Sequence, residues 1–127
     1  MAKLVYISGK MGEKKLSKAT KEKFYKAQEK LLDEGYAVLN PGNDAWQKEL
    51  HHHVKIEEKK WQELDHGAFD WYAWALLWDM HYLALADAIY LLRDWQDSPG
   101  AKAEYAFAKA CNKEIMFEDE TTKPQDL

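Results

Sequence analysis

The sequence predicts a small α/β sandwich on a mostly parallel sheet of four or five strands, with a helical pair inserted between its halves. Three observations carry that prediction. Short apolar runs alternate with stretches of helical periodicity, the pattern of strand–helix–strand units. Residues 84–119 read as strand, polar loop, helix and strand, one complete parallel βαβ unit. The 127 residues suffice for one core, so the chain is a single domain over 1–127.

Each element follows from its residues. Residues 3–8 (KLVYIS) are rich in strand formers and stop at Gly9, which gives the first strand. In the loop after it, Ser8, Gly9, Lys10, Met11 and Gly12 are mostly small, and their backbone N–H groups can approach an anion. The loop is neither a P-loop nor a dinucleotide fingerprint, and it serves equally as a plain strand-to-helix turn. Residues 17–34 are helical, with Phe24, Ala27, Gln28, Leu31 and Leu32 at helical spacing and Gly35 as the stop. Residues 36–39 form the second strand, and Asn40-Pro41-Gly42-Asn43 breaks it. Asp44 then caps a helix over 44–66, where Trp46, Leu50, Val54, Glu57, Trp61 and Leu64 recur at three- and four-residue steps.

Gly67 separates that helix from the next, over 69–85, which is apolar nearly all round. Such a helix packs on several sides or sits in an oligomer interface, so a homodimer or larger assembly is expected. Residues 88–92 make the third strand, 93–100 a loop, 101–111 a helix stopped by Asn112, and 115–117 the fourth strand. The tail from Glu118 is polar and acidic and is expected to fray.

Composition narrows the partners. A net charge of −4 argues against a nucleic-acid polymer but leaves room for a small anion at a local cationic loop. Seven lysines lie between Lys14 and Lys30, interspersed with Glu13, Glu22 and Glu29, and read as a solvated face. The single cysteine, Cys111, excludes an intrachain disulfide and reads as a small core residue in a cytoplasmic protein. The start of the chain does not resemble a signal peptide, and the longest apolar run, 71–78, is too short to span a membrane. His51, His52 and His53 point in different directions on a helix. Only His53 and Glu57, with a further ligand such as His66, have a spacing that suits an ion. Surface histidines are the better reading, so no metal and no cofactor are assigned.

Two carboxylates stand out. Glu104 falls in the first turn of the 101–111 helix, from which it can point back into the crevice at the carboxyl end of the sheet. Asp79 lies among aromatic residues, where a carboxylate needs a reason. It serves equally as an acceptor for a Trp N–H or Tyr hydroxyl, or as a group facing a ligand cleft. His81 reads as a satisfied core histidine.

A series of residues then resembles a known superfamily. It runs through Leu4-Val5-Tyr6-Ile7-Ser8-Gly9, Gly35-Tyr36, Val38, Asn40-Pro41, Asp79, Ala86-Asp87-Ala88, Trp95, Ser98, Gly100-Ala101, Glu104 and Ile115. This series is similar to the nucleoside 2-deoxyribosyltransferase-like superfamily, nearest to a phage-associated branch, over most of the chain apart from about 43–68. The resemblance implies a flavodoxin-like or Rossmann-like fold. The activity it implies is cleavage of the N-glycosidic bond of a 2′-deoxynucleoside or its 5′-monophosphate, with the sugar passed to water or to another base. It implies Glu104 as nucleophile, Asp79 as base contact or proton shuttle, and Tyr6 as the group positioning the nucleophile. It further implies a substrate-binding set of Ser8, Gly9, Lys10, Met11, Trp95, Ser98 and Gly100, with the first loop and Ser98 on a phosphate.

The sequence departs from the branch in the first loop, where Lys10 replaces the usual Pro and Gly12-Glu13 replace Thr-Gly. A lysine there adds a charge-assisted contact to a phosphate and favours a nucleotide. On chemical grounds a helix start keeps Glu104 ionised, while burial raises the pKa of Asp79 as an acid requires. Trp74, Trp78 or Trp95 are candidates to stack on a base. A non-catalytic module that holds a nucleotide on the same fold is the alternative reading.

Overall fold

A computed structural model describes residues 2–11, 15–64 and 67–124. Its order is β1 (Leu4–Ser8), α1 (Lys18–Asp33), β2 (Ala37–Leu39), α2 (Asp44–Leu64), α3 (Trp71–Leu83), β3 (Ala88–Leu91), α4 (Pro99–Ala110) and β4 (Glu114–Phe117), with short 3-10 turns at Trp95–Asp97 and Glu120–Thr122. The four strands form one sheet in the order β2-β1-β3-β4, and every pair is parallel. This is the small Rossmann-like or flavodoxin-like architecture expected, with α2 and α3 as the helical pair between β2 and β3.

Alternation along β1 sorts the two layers. Val5 and Ile7 face α1 and pack with Phe24, Ala27 and Leu31, while Tyr6 faces the other side with Leu83, Ile89, Leu91, Trp95, Ala101 and Ala108. Burying a side chain such as Phe24 or Leu31 contributes roughly 1.5–3 kcal/mol each. Because β1 pairs with β2 on one edge and β3 on the other, the chain reverses its direction across the sheet between β1 and β3. The carboxyl ends of these two strands are therefore the switch point where such folds place a crevice. Gly9 permits their close approach: a Cβ there would lie 2.7 Å from Leu92 Cδ1 and 2.9 Å from Leu92 Cβ.

Several local readings are revised. Asn43, not Asp44, caps α2, since its Oδ1 accepts the Ala45 N–H at 2.8 Å, whereas Asp44 pairs with Lys21 at 2.9 Å. α4 begins two residues earlier than expected, because Ser98 caps it and Pro99 fits its first turn. Asn112 does end that helix, with φ at 57°. Cys111 is exposed rather than part of the core, because it sits at the C-cap beyond the last buried residue, Ala108. His81 is exposed as well. The segment after β4 is tied down as far as Thr122: the Glu118 carboxylate accepts the Arg93 N–H at 2.7 Å, and Trp95 Nε1 donates to Thr122 Oγ1 at 3.1 Å. Gly12, Glu13 and His66 lie outside the described residues. Among the described residues no helix is long and apolar enough to cross a membrane.

Candidate active site

Tyr6 and Ser8 are two residues apart on β1, so both side chains leave the same face of the sheet. That face is covered by α4, whose inward residues are Gly100, Ala101, Glu104 and Ala108. The consequence is a three-residue cluster: Tyr6 Oη donates to Glu104 Oε2 at 2.6 Å and Ser8 Oγ donates to Glu104 Oε1 at 2.7 Å. Each oxygen of the carboxylate is thus held by one hydroxyl from the central strand. Glu104 is only 5 % exposed, and Tyr6 and Ser8 are fully buried.

Glu104 opens on one side into a cavity of about 370 Å³. Asp79 of α3 lines the same cavity, together with Gly9 and Met11 after β1, Ser98, Gly100 and Ala101 at the start of α4, and Gln47 and Leu50 of α2. Trp71, Tyr72, Ala75 and Leu76 of α3 complete an apolar wall. Asp79 is fixed by Trp46, whose Nε1 donates to Asp79 Oδ1 at 2.8 Å. Trp46 is held in turn by edge contacts with Tyr6 at 6.2 Å and Tyr82 at 5.0 Å between ring centroids. The acceptor reading of Asp79 therefore holds, and the same residue also lines a cavity.

The electrostatics separate the two carboxyls. Burial pushes Glu104 from 4.5 to about 7, and the Tyr6 and Ser8 hydroxyls oppose this by favouring the ionised form. The expectation that a helix start would keep Glu104 ionised is overturned. With α4 beginning at Pro99, Glu104 lies in its second turn, outside the reach of the helix dipole, and desolvation wins. Asp79 is raised well above its ordinary value, first by burial and then by the Glu104 charge; the single Trp46 hydrogen bond opposes this. Two donors on one carboxylate and one on the other make Glu104 the group that ionises first. The two titrate as a pair, since the charge of one bears on the other.

The remaining site residues expected from sequence divide in two. Gly9, Met11, Ser98 and Gly100 join Glu104 and Asp79 in the cavity wall. Ser8 sits behind Glu104 as its holder rather than offering itself to a ligand. Lys10 is exposed and does not line the cavity, and its backbone N–H goes to Asp94 Oδ1 at 3.0 Å. Trp95 is 3 % exposed and packs on Tyr105 and Phe117 in the core, so it is no part of the wall. Trp74 is likewise absent from the wall, and Trp78 lines a separate groove with Trp46 and Tyr82.

Sequence reasoning missed Tyr72. Its hydroxyl would meet a Cβ on Gly100 at 2.7 Å. Burial raises its pKa, and the Glu104 and Asp79 charges raise it further, while the Gly100 backbone N–H opposes them. Tyr72 lines the same cavity as both carboxyls. It was hidden in a helix that is apolar all round, where no period marks one face. His51 and His53 pack on Trp71 and Trp78 at 5.1 and 4.5 Å between centroids, and no metal-binding group of three or more ligating side chains occurs among the described residues.

Fold and site together define an α/β domain with a carboxyl-lined cavity at its sheet switch point. The chain belongs to the family described as a domain of unknown function (DUF4406), whose model matches residues 3–117. The match runs through 43–68, the stretch outside the superfamily resemblance. No curated protein matches the chain.

Proposed function

We propose that the protein cleaves the N-glycosidic bond of a 2′-deoxynucleoside or its 5′-monophosphate, as the resemblance to the nucleoside 2-deoxyribosyltransferase-like superfamily implies. The observation that carries this reading is one cavity lined by two carboxyls of different acidity, the more acidic one gripped by Tyr6 and Ser8. Glycosidic cleavage passes through an oxocarbenium-like state and calls for that pair: an anion beside the anomeric carbon and an acid beside the leaving group.

In the proposed reaction, ionised Glu104 bonds to C1′ as the C1′–N bond breaks. The electron pair of that bond stays on the base, which takes the proton of Asp79. Water or a second base then displaces the Glu104 ester. With water as the acceptor, the Asp79 carboxylate takes up the proton that water loses. Tyr6 and Ser8 position Glu104. Trp71, Tyr72 and Leu76 offer the base a flat apolar wall, and the cavity volume suits a nucleoside-sized ligand.

Incubation with a panel of deoxynucleosides and their monophosphates, with free base measured by chromatography, tests the reading. Release by the wild type that Glu104→Ala abolishes is the expected result. No release from any member sinks the enzyme reading, and binding without release favours a nucleotide-holding module instead.

A further inference from the structure

We propose that Lys23 and Asp94 are positioning residues for the cavity: their ion pair grips both backbone polar groups of Lys10 and so fixes the loop after β1 as part of the cavity wall. The claim about the loop stands apart from the glycosidase reading; only its effect on turnover rests on that reading.

The Leu92 N–H donates to the Ser8 carbonyl at 2.8 Å, at the carboxyl end of β1. Beyond Ser8 the chain leaves the strand, and its backbone groups need other partners. Asp94, just after β3, accepts the Lys10 N–H on Oδ1 at 3.0 Å. Lys23 of α1 donates to the Lys10 carbonyl at 2.6 Å and to Asp94 Oδ2 at 2.5 Å. These three contacts close a ring that ties together the loop, α1 and the turn after β3.

The Lys10 N–H shares a peptide plane with the Gly9 carbonyl, and the Lys10 carbonyl shares one with the Met11 N–H. Holding both planes therefore sets Gly9 on one side and Met11 on the other. Both of those residues line the cavity. Gly9 is confined from a further side, since Leu92 fills the space where a Cβ would lie. Lys23 thus departs from the solvated lysine face in which its sequence neighbourhood places it. Its side chain and that of Asp94 are partly buried, at 33 and 26 % exposure, where salt screens an ion pair less than on the open surface. Glu104 and Asp79 have other holders, Tyr6 and Ser8 for the first and Trp46 for the second. The Lys23–Asp94 pair acts on the wall rather than on the carboxyls.

Amide hydrogen exchange of the wild type, Asp94→Ala and Lys23→Met tests the grip with no ligand, and either variant decides should the other fail to fold. The Lys10 N–H is expected to exchange at least about ten-fold faster in Asp94→Ala, which removes a hydrogen bond to a charged group, and faster than wild type in Lys23→Met. The Met11 methyl signal is expected to shift in both. With the best substrate of the deoxynucleoside panel, KM is expected to rise several-fold while kcat stays close to wild type, because the wall binds ligand and the carboxyls keep their partners. Exchange of the Lys10 N–H at the wild-type rate overturns the inference, as does an unmoved Met11 signal. Faster exchange with an unchanged KM, or a fall in kcat alone, overturns it as well. Faster exchange and a shifted Met11 signal in a chain that cleaves no member of the panel uphold the inference and count only against the glycosidase reading.

Discussion

Glu104→Gln tests the electrostatics of the site without any substrate. A carboxyl whose pKa is raised on folding binds its proton more tightly in the folded chain. Its contribution to stability is therefore complete below its ordinary value of 4.5 and is lost as pH climbs to about 7. At about 1.36 kcal/mol per unit, that window corresponds to a loss of about 3 kcal/mol. No discount for solvent screening applies, since Glu104 is 5 % exposed. Asp79 is raised too, so its contribution is also lost with rising pH.

Glutamine keeps the shape and removes the titration. It brings a constant offset, because Tyr6 and Ser8 both donate to the carboxylate and one of them must turn away from the new NH₂; one lost hydrogen bond costs about 1 kcal/mol. Urea unfolding followed by the fluorescence of the six tryptophans gives stability at about pH 5, 6, 7 and 8. The variant is expected to be slightly weaker than wild type near pH 5 and stronger by about 2 kcal/mol near pH 8. Surface carboxylates titrate alike in both chains and cancel in the difference. Parallel stability curves across this range would refute the claim that Glu104 is buried with a raised pKa.

Tyr6→Phe removes a donor that favours ionised Glu104, so the rising limb of any pH–activity profile is expected to move upward from about 7, readable as a shift in kcat/KM against pH. Trp46→Phe removes the Asp79 hydrogen bond; the falling limb is expected to move to higher pH, with about 1 kcal/mol lost in urea unfolding. Gly9→Ala puts a Cβ against Leu92 Cδ1 and Cβ, and a loss of about 1–3 kcal/mol by the same assay is expected. α3 leaves Tyr72 and Leu77 exposed, and α2 leaves Ile56 and Leu64 exposed, so the chain is expected to self-associate. Analytical ultracentrifugation would show this, with Leu77→Lys shifting the equilibrium toward monomer.

The legibility of the chain followed physical range. Strands and helices were readable because their signals are local: the β1 run ending at Gly9, the Gly35 stop, the Asn112 stop. Glu104 and Tyr6 were readable as partners only through the superfamily resemblance. Yet the alternation that puts Tyr6 and Ser8 on one face is a two-residue rule that the β1 run already contains. What stayed hidden depended on contacts across the chain. Ser8 reads as a loop hydroxyl free for a ligand until α4 brings Glu104 onto it, 96 residues away. The lysine at 10 reads as a phosphate contact, and the sequence does not reveal that Asp94, 84 residues on, accepts its backbone amide. Trp95 has the composition of a stacking platform but the position of a core residue, and composition cannot tell the two apart. Asp44 lost the cap to Asn43 because either side chain fits the rule, and one residue of register is below what such signals resolve.

The division of acidity between the two carboxyls follows from where each sits in the fold. Glu104 lies against the central strand, and a strand of alternating side chains can aim two hydroxyls, at positions 6 and 8, at one carboxylate from one face. Asp79 lies on a helix that is apolar nearly all round, and among the described residues one donor, the Trp46 indole from the neighbouring helix, reaches it. Both groups are desolvated, so the difference in donors decides which ionises first. The same sheet geometry holds that group near the switch point, because β1 and β3 are the two inner strands and Gly9 and Met11, just past the carboxyl end of β1, line the cavity. An arrangement with the roles exchanged, Asp79 ionised and Glu104 protonated, would leave the Tyr6 and Ser8 hydroxyls facing a neutral acid and put the charge among the tryptophans. That state discards two charge-assisted hydrogen bonds to keep one.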